Sequence, residues 1–397
     1  MYQMLAVLCA FAFLYSLVGA RLERTPVAGA IVFTGFGVLA GPLGAGLLST
    51  ANPQGLRFLA ELTLALVLFI DAANANLGVL SRNLGIPERL LLVGLPLTIL
   101  LGFGAGALLF PALGWVGWAL LGTMLAPTDA ALGKAVVINH AVPAPIRESL
   151  NVESGLNDGI CVPLLLILLM IASAPGGAHG IGAVIQHHFF LKEIGIGMLV
   201  GALMALVGQR AIRFAGLRAW ISETWRQLPV VALAFTIFGT AQTLGGSGFI
   251  ACFVGGLLAG ALSTGQKHEF LQAAEGAGDA FSLLTWVVFG AAVVGPTLDR
   301  LTWQILTYAL LSLTLVRMLP VYLAMIGSAT RPAERLFLGW FGPRGLASVV
   351  FAVMVLEAGV ADSDTLTATV AWTVILSIVA HGVTAVPLAA AFSRRST

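Results

Sequence analysis

The chain has 397 residues, 58% of them hydrophobic and only 10% charged, where soluble domains carry roughly 25% charged residues. That excludes a soluble globular fold, and a net charge of +2 offers nothing to a nucleic-acid partner. Cys9, Cys161 and Cys252 stand in apolar segments without paired or metal-type spacing, so they read as small core residues and imply no cofactor.

Crossing the hydrocarbon core takes about 20 mostly apolar residues per helix. About thirteen such segments are predicted, at roughly 2–20, 26–48, 57–76, 90–111, 114–137, 150–173, 191–209, 228–244, 248–262, 277–295, 301–326, 334–356 and 366–391. The first is followed by Arg21, Glu23 and Arg24 and not by a small-residue cleavage site, so it reads as a retained helix. Alternate loops hold Arg21/Arg24, Arg82/Arg89, Arg147, Arg210/Arg213/Arg218/Arg226, Lys267, Arg331/Arg335 and Arg394/Arg395. The intervening loops hold little beyond Arg57, Lys192 and Arg300, and the stretch from Glu357 to Asp364 is acidic. The positive-inside rule then puts the amino terminus outside, the carboxyl terminus in the cytoplasm, and makes the number of spans odd. The 47 glycines allow close helix approach. The expected fold is an all-α, multi-pass membrane protein surrounded by lipid.

In chain order, the first polar intrusions are Glu61 and Asp71 in the third segment, where a capping or snorkelling role weighs as much as function. The fifth segment contains Leu125-Ala126-Pro127-Thr128-Asp129, then Gly133 and Lys134. The twelfth contains Gly339-Trp340-Phe341-Gly342-Pro343-Arg344-Gly345. Proline removes a backbone donor and flanking glycine favours unwinding, and interrupted helices at membrane depth survive only against protein or a wet cavity. Two of them at corresponding places in the two halves point to a transporter of inverted repeats with crossed, broken helices. Each half-helix end carries about half a unit charge. Asp129 is placed to offset positive ends, and Lys134 or Arg344 negative ones. A simpler role for Asp129 is a helix N-cap.

The sixth segment carries Asn151-Val152-Glu153-Ser154-Gly155-Leu156-Asn157-Asp158-Gly159. Acids at bilayer depth are costly and mark ion or proton sites by default. Glu153/Asn157 and Ser154/Asp158, each four apart, form two neighbouring helical stripes. Asp158, Ser154, Thr128 and freed carbonyls of the fifth segment can supply the oxygens a sodium ion needs. A buried carboxyl holds a proton or a cation in turn, since burial favours its neutral form and a nearby cation its charged one. Arg317 in the eleventh segment cannot lose its proton and needs an anion. Glu153 is the assigned partner, with Asp279 or Asp71 as alternatives. Asp279, near the start of the tenth segment, suits a helix N-terminus. His381, deep in the last, reads as a hydrogen-bonded packing residue ahead of a proton relay.

Ala126-Pro127-Thr128-Asp129, Glu153 through Gly159, Arg317 and Gly342-Pro343-Arg344-Gly345 together resemble the stations of the monovalent cation:proton antiporter-1 family, the NhaP-type relatives of eukaryotic sodium/proton exchangers. Leu68 through Ala73 resembles that family's third-helix motif. The resemblance implies a homodimer with a dimerisation domain at about 1–76 plus 228–295, a core ion-transport domain at about 90–173 plus 301–391, and a linker helix at about 191–209. It implies an ion-binding and proton-exchanging Asp158, with Asn157 placing the chain in an electroneutral class. Thr128, Asp129 and Ser154 match positions near the ion, Glu153 and Arg317 a buried structural pair, and Arg344 the arginine beside the second break. Ala130 stands where many relatives have proline, and the long cytoplasmic tail of eukaryotic exchangers has no counterpart after Arg395. The function expected is secondary antiport, not enzymatic: Na+, alternatively K+ or Li+, against H+ across an inner membrane. A gated cation channel or an intramembrane aspartyl hydrolase using Asp129 and Asp158 stands behind it. A channel lacks a visible filter segment, and the hydrolase its glycine–aspartate patterns.

Overall fold

A computed structural model describes residues 2–22, 29–48, 53–75, 85–129, 132, 142–173, 189–222, 225, 228–263 and 267–396. These residues form helices and connecting turns, with no strand among them. In chain order the helices are α1 (Tyr2–Leu22), α2 (Gly29–Ala40), α3 (Pro53–Asn74), α4 (Pro87–Leu109), α5 (Gly114–Met124), α6 (Ala144–Ser173) and α7 (Phe189–Leu217). They continue as α8 (Leu228–Thr243), α9 (Gly248–Leu262), α10 (Lys267–Val288, prolonged by tighter and wider turns to Arg300) and α11 (Trp303–Leu313, resuming after Thr314 as Leu315–Ala324). The last three are α12 (Pro332–Trp340), α13 (Leu346–Glu357) and α14 (Ser363–Ser396).

Local chemistry accounts for the boundaries. Thr302 caps α11 by accepting from the Ile305 N–H, and Ser247 caps α9 by accepting from the Ile250 N–H, the usual work of a hydroxyl at an N-cap. At α12, Pro332 occupies the first turn and Glu334 accepts from the Arg331 N–H at 2.7 Å. Inside α4 and α10 the chain widens into π turns at Leu90–Gly94 and Phe289–Val294, each followed within two residues by a proline, Pro96 and Pro296. A proline ring clashes with the carbonyl four residues back; the wider turn moves that carbonyl aside.

Six helices, of 22 to 30 residues, are long and apolar enough to cross a membrane. Every predicted segment contains a described helix, while the count of thirteen spans also draws on residues outside the described set. α10 departs from expectation. It begins at Lys267, ten residues before the predicted segment, because a polar first stretch rich in helix formers (Lys267, Glu269, Gln272, Ala273, Ala274, Glu275) prolongs it beyond the apolar run. Asp279 therefore lies well inside the helix and is not an N-terminal carboxylate. Outward-facing side chains such as Phe13, Leu14 and Leu17 on α1, and Leu199, Leu203 and Val207 on α7, are exposed, as suits lipid-facing surfaces.

The helices pack as two groups. In one, α3 lies against α9 and α10, α2 against α10, and α7 and α8 against α9; in the other, α4 packs with α5, α11 with α12 and α14, and α13 with α14. α6 packs on α5 and also meets α3 and α9, and α13 touches α3. The α3–α9 contact is made by glycine. A Cβ at Gly256 would run into the Phe69 carbonyl, and one at Gly260 into that of Ala73. Backbone on both sides leaves no flexible atom to yield. We expect Gly256→Val to destabilise the purified protein by about 1–3 kcal/mol, the usual overpacking cost, seen as a lower melting temperature in detergent.

Candidate functional site

After Met124 the chain leaves the helix and runs without regular structure from Leu125 to Asp129; after Trp340 it does so from Phe341 to Gly345. These are the two stretches marked by Pro127 and Pro343. They meet directly: the Asp129 N–H donates to the Pro343 carbonyl at 2.8 Å. Each break exposes helix ends whose backbone groups lack intrahelical partners, and the opposite break supplies the missing groups.

Arg344, wholly buried, donates from Nη1 to the carbonyls of Ala126 at 3.0 Å and Pro127 at 3.3 Å. A cation thus faces the negative end of α5. Asp129 returns the service, its Oδ2 accepting from the Leu346 N–H at 3.1 Å, at the positive end of α13. Ser348 donates to the Met124 carbonyl at 2.7 Å, a third link between α13 and the end of α5. A Cβ at Gly345 would collide with the Asp129 carboxylate, so glycine is required where that cap is made. The end of α12 is held from α14: His381 Nε2 lies 2.8 Å from the Trp340 carbonyl, its ring stacks on Trp340, and Ser377 Oγ accepts from the Arg344 N–H at 2.7 Å.

α6 brings its polar face to the first break. Ser154 Oγ donates to the Thr128 carbonyl at 2.8 Å, and Asn157 Nδ2 to the Thr128 hydroxyl at 2.7 Å. Both Thr128 oxygens keep a further lone pair. Asp158 follows Asn157 on the same buried stretch, and Asn157 Oδ1 and Asp158 Oδ1 are buried oxygens that carry no hydrogen bond. Orphaned buried oxygens are rare. They are two of several such oxygens among the described residues, but Asn157 itself bonds Thr128 and Asp158 stands one turn after Ser154, which also does; oxygens of these types are what a hard cation takes.

Glu153 faces the other way. Arg317 binds it through both guanidinium nitrogens, Nη1 to Oε1 at 2.5 Å and Nη2 to Oε2 at 2.8 Å, with both residues essentially free of solvent. A Cβ at Gly342 would strike the Arg317 guanidinium, so the pair sits directly under the second break. Neither Asp71 nor Asp279 is its partner.

The structure thus brings together Thr128, Asp129, Ser154, Asn157, Asp158 and Arg344, with Glu153 and Arg317 adjoining. Lys134 lies outside the described residues. Asp71 presents its backbone carbonyl to Gly155 of α6. Glu61 is taken by Arg57 at 2.5 Å, one turn away. Sequence reading passed over Ser348 and Ser377. The available signal was a lone hydroxyl on the apolar start of α13 in the first case and, in the second, the buried polar stripe Thr369, Thr373, Ser377 and His381 at four-residue spacing on α14.

An all-helical bundle whose interrupted helices meet beside buried carboxylates has the architecture of a secondary transporter. The profile described as "Sodium/hydrogen exchanger, transmembrane" matches residues 9–391, and the chain belongs to that family, as an integral multi-pass membrane protein. Among curated relatives, the K(+)/H(+) antiporter NhaP2 of Shewanella oneidensis is 24% identical over 95% of this chain and 64% of its own length. The K(+)/H(+) antiporter NhaP of Alkalimonas amylolytica is 25% identical over 90% of this chain and 61% of its own. The chain therefore spans less than two thirds of those relatives. Na(+)/H(+) antiporter 2 of Zygosaccharomyces rouxii is 27% identical over 62% of this chain and 32% of its own length. The solved sodium proton antiporter MjNhaP1 of Methanocaldococcus jannaschii shares the fold, with a TM-score of 0.75 at 20% identity over 96% of this chain and 98% of that one.

Removing one partner of a buried ion pair strands the other charge, a loss of about 3–5 kcal/mol. Glu153→Ala is therefore expected to melt many degrees below the parent in detergent. A variant that melts with the parent yet fails to bind ion would show that Glu153 acts in binding and not in holding the helices.

Proposed function

We propose that this chain is a secondary antiporter that exchanges a monovalent cation for a proton. The observation that carries this reading is the pair of unbonded buried oxygens, Asn157 Oδ1 and Asp158 Oδ1, on the helix whose Ser154 and Asn157 bond Thr128 where two interrupted helices meet. Asp158 is the exchanging group: it takes a proton or the cation, and either neutralises a carboxylate that is costly to carry uncompensated through a low-dielectric interior. Thr128 and Ser154 complete the cation shell, with Asn157 orienting the Thr128 hydroxyl. Asp129 and Arg344 hold the breaks, and Lys134 is assigned to the same charge compensation. One proton against one cation makes the exchange electroneutral.

In this reading α4 to α6 and α11 to α14 form the ion-carrying core. α1 to α3 with α8 to α10 form the dimerisation side of a homodimer, and α7 is the linker. Rocking of one against the other exposes Asp158 to each face in turn. The distribution of arginines supports an external amino terminus and a cytoplasmic carboxyl terminus in a bacterial or archaeal inner membrane. The names of the structural neighbour and the yeast relative favour Na+; those of the two bacterial relatives favour K+, which stands as the second reading. Cation size and ligand field decide between them.

The test is proton efflux from proteoliposomes on addition of Na+, K+ or Li+, with and without a voltage clamp. The parent is expected to respond equally under both electrical conditions, and Asp158→Asn to give a folded protein with no response. Proton-coupled cation flux retained by Asp158→Asn would remove the basis of this assignment.

A further inference from the structure

We propose that Arg57, Arg300, Glu357 and Asp364 are gating residues of the exchange, whose ion pairs close one end of the seam between the two helix groups and part once in each cycle. The inference rests on the antiport reading and on its division of the helices into two units.

Four helix ends converge there: the start of α3, the last turn of α10, the end of α13 and the start of α14. Arg57 Nε of α3 lies 3.2 Å from Glu357 Oε2 of α13, while also binding Glu61 on its own helix. Arg300 Nη1, closing α10, lies 2.6 Å from Asp364 Oδ2 in the first turn of α14. Both inter-helix pairs join a helix of the α3–α10 group to one of the α13–α14 group. In each the arginine belongs to the former and the acid to the latter. Nearby, the Trp372 indole of α14 donates to the Thr297 carbonyl before Arg300 at 3.1 Å, a further contact across the seam between α10 and α14.

The energetics suit a contact that must open. Arg300 and Asp364 retain 45% and 64% of their side-chain exposure and Arg57 52%, while Glu357 keeps 18%. When the Arg300–Asp364 pair parts, both charges pass to water, and exposed pairs add little net stability; when Arg57 leaves Glu357 it keeps Glu61 on its own helix. They bias a seam without locking it. Glu153–Arg317 is the opposite case: fully buried, within one group, and too costly to break in a transport cycle. The gated end is also the one where Glu357, Asp362 and Asp364 cluster. Arg89, Arg147, Arg331 and Arg335 lie at the other ends of the helices, so the positive-inside rule makes the gated face the external one.

The test uses the full chain with Cys9→Ser to remove its exposed thiol. Two double-cysteine proteins are made in that background, Arg300→Cys with Asp364→Cys and Arg57→Cys with Glu357→Cys. Each is assayed for exchange in proteoliposomes before treatment, after a short reducible dithiol cross-linker, and after reductant. The expected result is exchange before linking, loss on linking and recovery on reduction, for both pairs. Exchange at the unlinked rate in fully cross-linked protein would overturn the gate. Absence of exchange in the Cys9→Ser parent would instead overturn the antiport reading.

Discussion

The structure depends on an exchange of charge between two broken helices. A helix stopped inside a membrane leaves carbonyls or N–H groups facing a medium with no water to satisfy them. Here the end of α5 is closed by the Arg344 guanidinium and the start of α13 by the Asp129 carboxylate, and each of these side chains comes from the other break. In these contacts neither break closes its own helix end. Together they are satisfied, and the unwound backbone that results places the Thr128 carbonyl and hydroxyl against Ser154 and Asn157. The candidate ligand oxygens are thus a by-product of solving a backbone problem.

A second layer of residues fixes this arrangement without joining it. Arg317 fills the space that Gly342 leaves under the second break and is neutralised by Glu153 from α6. The helix bearing the candidate ligands is thereby tied to α11 one turn before Asp158. His381 and Ser377 hold the far side of the second break from α14. Each contact joins two elements through a buried polar group, and such networks specify a single arrangement only when nearly every member is satisfied. Asn157 Oδ1 and Asp158 Oδ1 are among the exceptions here, with the Nε atoms of Arg317 and Arg344, and the proposed exchange gives the two oxygens a use.

Much of this was legible in the residues because membranes make polar side chains conspicuous. Glu153, Ser154, Asn157 and Asp158 stand out on an apolar background, and Pro127 and Pro343 announce where the helices stop. Partners were less legible. Arg344 reaches Ala126 across 218 positions, and sequence alone left both Lys134 and Arg344 open for that end. Ser348 and Ser377 escaped notice because a serine in a membrane helix ordinarily bonds to its own preceding turn; only tertiary contact turns it outward. Asp279 was misplaced because the apolar run understates the length of α10, whose first turns are polar. The fold class needed only the spacing of apolar runs, whereas the pairing of charges needed three dimensions.

Gly155 and Gly159 give the ligand-bearing helix an unusual relation to its neighbours. A Cβ at the first would press on the Asp71 carbonyl of α3, and one at the second would overlap the Phe253 ring of α9. α6 therefore meets the opposite group at close range, with Val152 and Leu156 packed among Ala75, Phe253 and Leu257 alongside the two glycines. In the proposed exchange, the face of α6 that packs on the opposite group and the face that offers oxygens to the ion belong to one helix, so a change of packing at Gly155 or Gly159 would be felt at Ser154 and Asp158 beside them.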